Sequence, residues 1–303
     1  MADLLKVSLF LIVVAGIAVY FLTHWSEIFH GISLEKIFPP LSKYLAPSKP
    51  SSSTSFKKAI TSENSTIPNN LIPQGFTREQ ISPYFKKIKI SSVSFYSADN
   101  SLFTIQLYSD LKKEEKINIT GWRIKSNQGE VIIPQAVNIY EPLGASPPQN
   151  IILSKNSNVI NIYSNQSPIN KNLRLNKCIG YLQNNYFFEP ALPQTCPSIS
   201  RSKMSGLFSQ CQNYIQSLPA CKMPERSFYD SLSPVGDDLI CRKFLDTLNY
   251  QGCFQEHHLD SDFLFNEWWI WLNVEPYQRF LDRQHDRVLL FDSQGLLVDE
   301  YSY

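Results

Sequence analysis

Short runs of alternating apolar and polar residues constrain the fold of this chain more than any other feature. Phe103, Ile105 and Leu107 alternate with polar neighbours, and similar runs continue to Tyr163, separated by turn residues. Alternation with a period of two places the apolar side chains on one face of a strand. The pattern therefore predicts a half-buried antiparallel sheet, and hence a β-sandwich or a barrel.

The end of the chain returns to the same pattern. Two apolar runs, 288–292 and 296–303, flank the turn Ser293-Gln294-Gly295 and predict a β-hairpin. Because an isolated hairpin is not stable in water, we expect it to pair with the sheet formed by residues 85–164. The β-domain then spans residues 85–303, and residues of about 170–280 are an insertion in it.

The insertion has helical spacing in place of alternation. Leu207, Cys211 and Tyr214 recur at intervals of three to four residues before Pro219, and a second helical pattern follows Asp237-Asp238. Helices this short are marginally stable in water, and disulfides would compensate.

All six cysteines of the chain lie in this insertion. Because they are even in number, clustered and placed behind an apolar N-terminal segment, they predict disulfides in an oxidising, extracytoplasmic compartment. Reduced buried thiols and a zinc site remain alternatives, although the sequence contains no Cys-x-x-Cys pair. Six cysteines allow 15 pairings, and spacing does not choose among them. The cysteines are Cys178, Cys196, Cys211, Cys221, Cys241 and Cys253.

The N-terminal segment contains an uncharged run from Val7 to Trp25. As a helix it would be roughly 28 Å long, close to the ~30 Å of a bilayer core. We predict an uncleaved signal-anchor, a single transmembrane helix over residues 1–25. A cleaved signal peptide and a buried core helix are the alternatives, and the flanking charges do not fix the orientation.

Two segments follow the predicted anchor. Residues 26–45 contain apolar residues at mixed helical spacing, which indicates a juxtamembrane amphipathic helix or an irregular continuation. Residues 46–80 are rich in serine and proline at their start and predict a flexible linker, since these residues build no core. The linker would hold the β-domain away from the bilayer.

Charge and motifs exclude several functions. Lysine and arginine number 28 against 27 acids, a net charge of +1, so we expect no nucleic-acid binding. No phosphate-binding glycine motif, His-Glu-x-x-His or Gly-x-Ser-x-Gly occurs. We therefore predict no cofactor, no metal and no catalytic residue.

The densest cluster of imidazoles and acids is His257-His258-Leu259-Asp260-Ser261-Asp262. Such residues can bind a metal or act as a base, but a solvated loop is the simpler interpretation. The run Glu267-Trp268-Trp269-Ile270-Trp271 is the other unusual segment. In a strand, Trp269 and Trp271 would share one face and Trp268 the other. Packing of the insertion onto the sheet and an exposed contact with a protein or glycan are both open.

Two elements resemble the lamin-tail domain family in its bacterial, membrane-anchored or surface form. The first runs from Phe103 to Ser109 and on through Ile117-Asn118-Ile119-Thr120-Gly121-Trp122-Arg123-Ile124 to the turn Asn127-Gln128-Gly129. The second is the closing hairpin, with Asp292, Gly295, Val298 and Asp299 in the spacing Asp-x-x-Gly-x-x-Val-Asp. The resemblance implies an immunoglobulin-like β-sandwich that serves as a binding or tethering module without catalytic residues.

The residues themselves agree with structural roles. Gly121 suits a tight bend at the start of a strand, and Trp122 suits a sandwich core, although an exposed ligand platform is the alternative. Asp292 is expected to bond the backbone N–H groups of its turn, and a calcium site at Asp292 and Asp299 is the other possibility.

We therefore expect a non-catalytic, membrane-anchored extracytoplasmic module that binds an unidentified protein or glycan, in adhesion or envelope interaction. The alternative function is a metal-dependent hydrolase or nuclease that uses the His257–Asp262 cluster. A purely structural envelope component that self-associates is a third hypothesis, and the sequence leaves the oligomeric state open.

Overall fold

A computed structural model describes residues 67–96, 102–274 and 280–303. The predicted anchor (1–25), the juxtamembrane segment (26–45) and residues 46–66 of the predicted linker lie outside the described residues. Within the described residues, none of the helices has the length and apolar character needed to cross a membrane.

The larger sheet contains five strands, and its spatial order is β1-β2-β7-β9-β8. The strands are β1 (Ile88–Phe95), β2 (Phe103–Ser109), β7 (Val159–Tyr163), β8 (Leu173–Asn176) and β9 (Leu264–Trp271). The alternation that predicted β2 is confirmed, because Phe103, Ile105 and Leu107 are buried and their neighbours Thr104 and Gln106 are only partly buried.

The second sheet contains four strands in the order β11-β10-β4-β5. They are β4 (Arg123–Lys125), β5 (Glu130–Ile132), β10 (Arg287–Phe291) and β11 (Leu297–Ser302). A short pair, β3 (Ile117–Asn118) and β6 (Ile152–Leu153), completes the strands of the described residues. The closing hairpin is confirmed, and it pairs with the sheet as predicted: Leu290 of β10 lies opposite Ile124 of β4.

Both sheets contribute to one hydrophobic cluster, which we call the two-sheet core. Its buried members include Ile105 and Ile160 from the larger sheet and Ile124, Leu290 and Val298 from the smaller one. The fold is therefore mainly β, as the alternation predicted.

The prediction of a purely antiparallel sheet is wrong at one place. β9 runs parallel to β7, with Ile162 opposite Ile270, and antiparallel to β8. Parallel neighbours need a long crossover connection, and the chain between β7 and β9 supplies it. Strands β8 and β9 lie inside the predicted insertion (170–280), so the part outside the sheets is residues 177–263, which we call the helical module.

The helical module contains five short α-helices and a 3-10 helix, Ile179–Asn184. The α-helices are α1 (Arg201–Met204), α2 (Ser209–Ser217), α3 (Arg226–Ser231), α4 (Gly236–Leu245) and α5 (Tyr250–His257). The two helices predicted from spacing are α2 and α4. Asp237 and Asp238 lie in the first turn of α4, as expected.

Packing against the β-domain begins before the predicted residue 85. Residues 67–80 include two 3-10 turns, Asn69–Leu71 and Arg78–Gln80. The ring of Phe76 lies 6.2 Å from that of Phe291, and Arg287 donates to the carbonyl of Gln74 at 2.7 Å. The end of the predicted linker is therefore packed on the closing hairpin, which apolar contact and a charge-assisted hydrogen bond explain.

Candidate functional site

The three disulfides are all in the helical module and its junction with the sheet. Cys178 pairs with Cys253, Cys196 with Cys221, and Cys211 with Cys241, and none of the six cysteines is free. The disulfide prediction is confirmed, and the alternatives of reduced thiols and a zinc site are wrong.

Each disulfide links segments that are distant in the sequence and packed together in the helical module. Cys178, two residues after the end of β8, is linked to Cys253 of α5, and the two cysteines are 75 residues apart in the sequence. Cys211–Cys241 joins α2 to α4 within a cluster of buried residues that includes Met204, Ile215 and Leu245. Cross-links of this kind restrict the unfolded chain and so stabilise helices that are marginal alone.

A cleft opens beside the Cys196–Cys221 disulfide, and its volume is about 340 Å³. Its lining includes Tyr181, the irregular segment 196–199, and the end of α2 with the residues after it. Apolar side chains predominate in its interior, and burial raises the pKa of the Tyr181 phenol. The apolar lining residues include Pro197, Ile199, Met204, Ile215, Leu218 and Leu248. Such a concave, mostly apolar surface is typical of a binding site.

A second, smaller cavity of about 50 Å³ shares the lining residues Tyr181 and Leu248 with the cleft, and its lining also includes charged side chains. Lys203 of α1 forms an ion pair with Glu256 of α5 here. His257 lies beside the pair, with Nε2 3.5 Å from Glu256 Oε1 and Nδ1 2.8 Å from Asp260 Oδ2. Charged side chains therefore border the smaller cavity, whereas apolar side chains predominate in the cleft.

Lys177 forms ion pairs with both acids of the predicted His257–Asp262 cluster. Its Nζ lies 3.0 Å from Asp260 Oδ2 and 2.5 Å from Asp262 Oδ1. The hydrogen bond from His257, followed by that from Lys177, lowers the pKa of Asp260 below its ordinary value, and Lys177 lowers the pKa of Asp262. The hydrogen bonds from Lys177 to Asp262 and to Asp260 raise the pKa of Lys177, and the bond to Asp262 has the larger effect.

The two histidines of the cluster do not converge. His257 belongs to the last turn of α5, whereas the ring of His258 stacks on Phe254 at 4.9 Å, and its Nδ1 lies 2.9 Å from the Phe254 carbonyl oxygen. Predicting this stretch as a solvated loop was therefore wrong for His257, which is helical. Across the part of the chain that the structure describes, no group of three or more His, Cys, Asp or Glu residues could hold a metal ion.

The three tryptophans of β9 are all buried. Trp268 is 2% exposed and faces the two-sheet core, whereas Trp269 and Trp271, each 5% exposed, face the cluster under the helical module. The predicted alternation of faces is confirmed. The alternative of an exposed aromatic contact is wrong, because both faces of β9 are covered, and the run packs the helical module onto the sheet.

Gly121 and Trp122 have the structural roles that the sequence indicated. Gly121 has a φ of +82° in the turn before β4, a conformation that glycine adopts without strain. Trp122 is 1% exposed in the two-sheet core, so it is not a ligand platform.

The aspartates of the closing hairpin are buried and bonded to protein groups. Asp292 Oδ1 accepts from the N–H groups of Gln294 and Leu296, as the turn prediction required, and Oδ2 accepts from the Ser82 hydroxyl at 2.7 Å. Asp299 accepts from the Ile90 N–H at 2.7 Å and from Lys86 Nζ at 2.6 Å. These contacts occupy the carboxylates that the calcium hypothesis needed. Gly295 has a φ of +82° in the turn, and Val298 is fully buried.

The sequence did not reveal Lys177 or Tyr181 as residues of interest, and it gave no structural role to Asp286. Asp286 is 3% exposed and accepts from the N–H groups of Asn127, Asp282 and Arg287. Nothing in the sequence distinguishes a buried acid that precedes a strand, such as Asp286, from an acid in an exposed loop. The one hint for Lys177 in the sequence is its position next to Cys178, because the disulfide of Cys178 brings α5 close to Lys177.

Comparisons of the chain with protein-family models, with curated protein sequences and with solved structures found no match. The residues and contacts described above are therefore the basis for the function proposed below.

Proposed function

We propose that the chain is a membrane-anchored, extracytoplasmic binding or tethering module without catalytic activity. In this proposal, residues 85–303 form an immunoglobulin-like, lamin-tail-type sandwich, and the disulfide-linked helical module supplies the contact surface. The anchor is the uncharged segment from Val7 to Trp25, whose length suits a bilayer. Adhesion and attachment to the cell envelope are the roles that such an arrangement serves.

The single observation that carries the proposal is the cleft beside the Cys196–Cys221 disulfide. Disulfides persist in oxidising compartments outside the cytoplasm, which supports the extracytoplasmic assignment. They also hold the cleft walls in place before a partner arrives, and preorganisation lowers the entropic cost of binding.

The roles of the resemblance residues support a scaffold. Trp122, Asp292 and Asp299 are buried in packing and hydrogen bonds. Substitutions there would alter stability, whereas substitutions at the cleft would alter binding.

Protease accessibility tests the topology. In intact cells or spheroplasts that display the full chain, an external protease should remove the β-domain, and the cysteines of the intact protein should resist alkylation until a reductant is added. Full protection from external protease, together with free thiols, would refute the extracytoplasmic assignment.

Site-specific cross-linking tests the cleft. A photoreactive residue at Ser198, which lines the cleft, should cross-link a distinct envelope component, and Ile199→Asp in the same protein should abolish the product. A photoreactive residue at the exposed Ser231, on α3, is the control. Equal labelling from both positions would show that the cleft has no specific partner.

One observation favours a second function, hydrolysis. His257, which lines the smaller cavity, forms an imidazole–carboxylate pair with Asp260, and such a pair can orient a general base. Lys177, however, occupies the carboxylates of Asp260 and Asp262 and would repel a divalent cation. Metal-dependent turnover by the purified full chain that is lost in His257→Ala would establish the hydrolase and overturn the non-catalytic proposal.

A further inference from the structure

A basic pocket lies on the β-domain, away from the cysteines. Three lysines, Lys113, Lys116 and Lys155, line it together with Ser154 and Asn156, and its volume is about 340 Å³. All three lysines are exposed. The pocket thus combines three cations with a hydroxyl and an amide that can donate hydrogen bonds.

Hydrogen bonds fix the loop that carries Lys113 and Lys116. Glu115 caps this loop, accepting from the Lys112 N–H at 2.9 Å, and its other oxygen lies 3.2 Å from Lys87 Nζ. These bonds lower the pKa of the Glu115 carboxyl, the backbone bond most. The acid in the middle of this loop is therefore already engaged, and it does not pair with the lysines of the pocket.

The other lining residues belong to the turn of residues 154–157, and hydrogen bonds hold this turn in place. Ser154 and Ser157 exchange backbone hydrogen bonds, and the indole N–H of the buried Trp268 donates to the Ser157 hydroxyl at 2.8 Å. Arg174 donates to the Asn156 carbonyl at 2.6 Å. The backbone of Lys155 and Asn156 is thus coupled to the core, so the fold positions this part of the pocket.

Among the described residues, Lys113, Lys116 and Lys155 have no ion-pair partner, in contrast to Lys86, Lys87 and Lys177. Like charges that converge on one pocket repel one another, and an anion placed among them removes this repulsion. Glu114 is the remaining acid of the loop and reduces the local excess of positive charge. The net charge of the whole chain is only +1, so this excess is local.

We propose that this pocket binds a multiply charged phosphate anion. Lysine ammonium groups bind phosphate as point charges, and the Ser154 hydroxyl and Asn156 amide supply directional hydrogen bonds. The site is separate from the cleft of the helical module, and its ligand does not depend on the function proposed for that cleft.

Isothermal titration calorimetry of the full-length protein with inorganic tripolyphosphate tests the proposal. At low ionic strength the wild type should bind one tripolyphosphate, and each of Lys113→Ala, Lys116→Ala and Lys155→Ala should weaken binding about two- to fivefold, as expected for loss of one exposed ion pair. The affinity should fall as salt is added.

Two controls separate a pocket from a diffuse positive field. Lys243→Ala removes an exposed lysine of α4, outside this pocket, and should leave the affinity unchanged. Asn156→Ala changes no charge and should still weaken binding. Equal losses in Lys243→Ala and Lys155→Ala, or no effect of Asn156→Ala, would overturn the site.

Vesicles provide the last arm of the experiment. If the lysines serve a membrane surface, vesicles containing phosphatidylglycerol will bind the protein in a lysine-dependent manner while tripolyphosphate does not, and the pocket proposal then fails. Binding of tripolyphosphate with the lysine and asparagine dependence given above supports it.

Discussion

At the scale of single residues, three buried aspartates are bonded to groups in other segments of the chain. Asp286, Asp292 and Asp299 are each no more than 3% exposed, and each accepts hydrogen bonds from backbone N–H groups. A buried carboxylate is costly unless it is bonded in this way. The bonds join segments far apart in the chain, since Asp299 bonds Ile90 and Asp292 bonds Ser82.

Replacement of Asp299 by alanine should destabilise the protein by about 3 kcal/mol. The substitution leaves the Ile90 N–H buried without an acceptor and removes the ion pair with Lys86. Asp299→Asn should cost less, because the amide oxygen can still accept from Ile90. Urea unfolding of the full chain measures the difference. Asp110→Ala, at an exposed acid, is the matched control and should change stability by less than about 0.5 kcal/mol. Equal effects at both positions would contradict this role for Asp299.

The pKa values of Asp260 and Asp262 give a second test at this scale. Carbon-detected NMR should show both carboxyls titrating below the ordinary aspartate value of about 3.9. In Lys177→Gln both values should rise, and more for Asp262, because Asp260 keeps its bond from His257. Lys243→Gln is the control, and unchanged titration in Lys177→Gln would show that the ion pairs do not form in solution.

The direction of the pH dependence follows from these shifts. Each carboxyl has a lower pKa in the folded protein than in the unfolded chain. Its pairing therefore stabilises the fold above the unfolded value of about 3.9, and this contribution is lost as the pH falls through the lower folded value.

At the scale of elements, β9 connects two hydrophobic clusters. Trp268 and Ile270 belong to the two-sheet core, and Trp269 and Trp271 belong to the cluster that includes Cys253 of α5. One strand therefore couples the sheets to the helical module, because adjacent side chains on it face opposite sides.

Conservative substitutions in β9 should destabilise the two clusters independently. Trp268→Phe loses packing in the two-sheet core and the hydrogen bond to Ser157, whereas Trp269→Phe loses packing against Tyr163, whose ring lies 4.9 Å away. Each should cost about 1–3 kcal/mol. Hydrogen exchange should quicken mainly in β1 and β2 for the first variant and mainly in α5 for the second. The same exchange pattern in both variants would show that the clusters unfold as one.

Local periodicity predicted elements well and their partners poorly. The alternation in β2 and the glycine turn of the closing hairpin are local signals, so both were found. The position of β9 between β7 and β8 depends on contacts between distant segments. The burial of Trp268 and Trp269 on opposite faces of β9 depends on such contacts too. The even number and the clustering of the cysteines predicted disulfides, whereas their pairing depends on how the helices pack. The cleft and Lys177 could not be predicted for the same reason.

At the scale of the whole molecule, the covalent cross-links are distributed unevenly. The disulfides join elements of the helical module, and the described strands contain no cysteine, although Cys178 lies two residues after the end of β8. The two sheets instead depend on apolar burial and on the buried aspartates. The two regions should therefore respond differently to a reductant.

Reduction should unfold the helical module before the sheets. Loop entropy gives roughly 3.5–4.5 kcal/mol for each disulfide, the most for Cys178–Cys253, which closes 75 residues, against 25 and 30 for the others. Short helices without these links should exchange their amide protons rapidly. In a thiol-free phosphine reductant, hydrogen exchange should rise in α2, α4 and α5 while β2, β4 and β10 stay protected.

The paired variants Cys211→Ser/Cys241→Ser and Cys178→Ser/Cys253→Ser refine the test. The first should release α2 and α4 alone, because that disulfide lies within their own cluster. The second should also raise exchange in α5 and β8, which Cys178–Cys253 joins at the junction with the sheet. Loss of protection across β2 and β10 in the first variant would show that the sheets depend on the helical module for their stability, contrary to the separate cores described here.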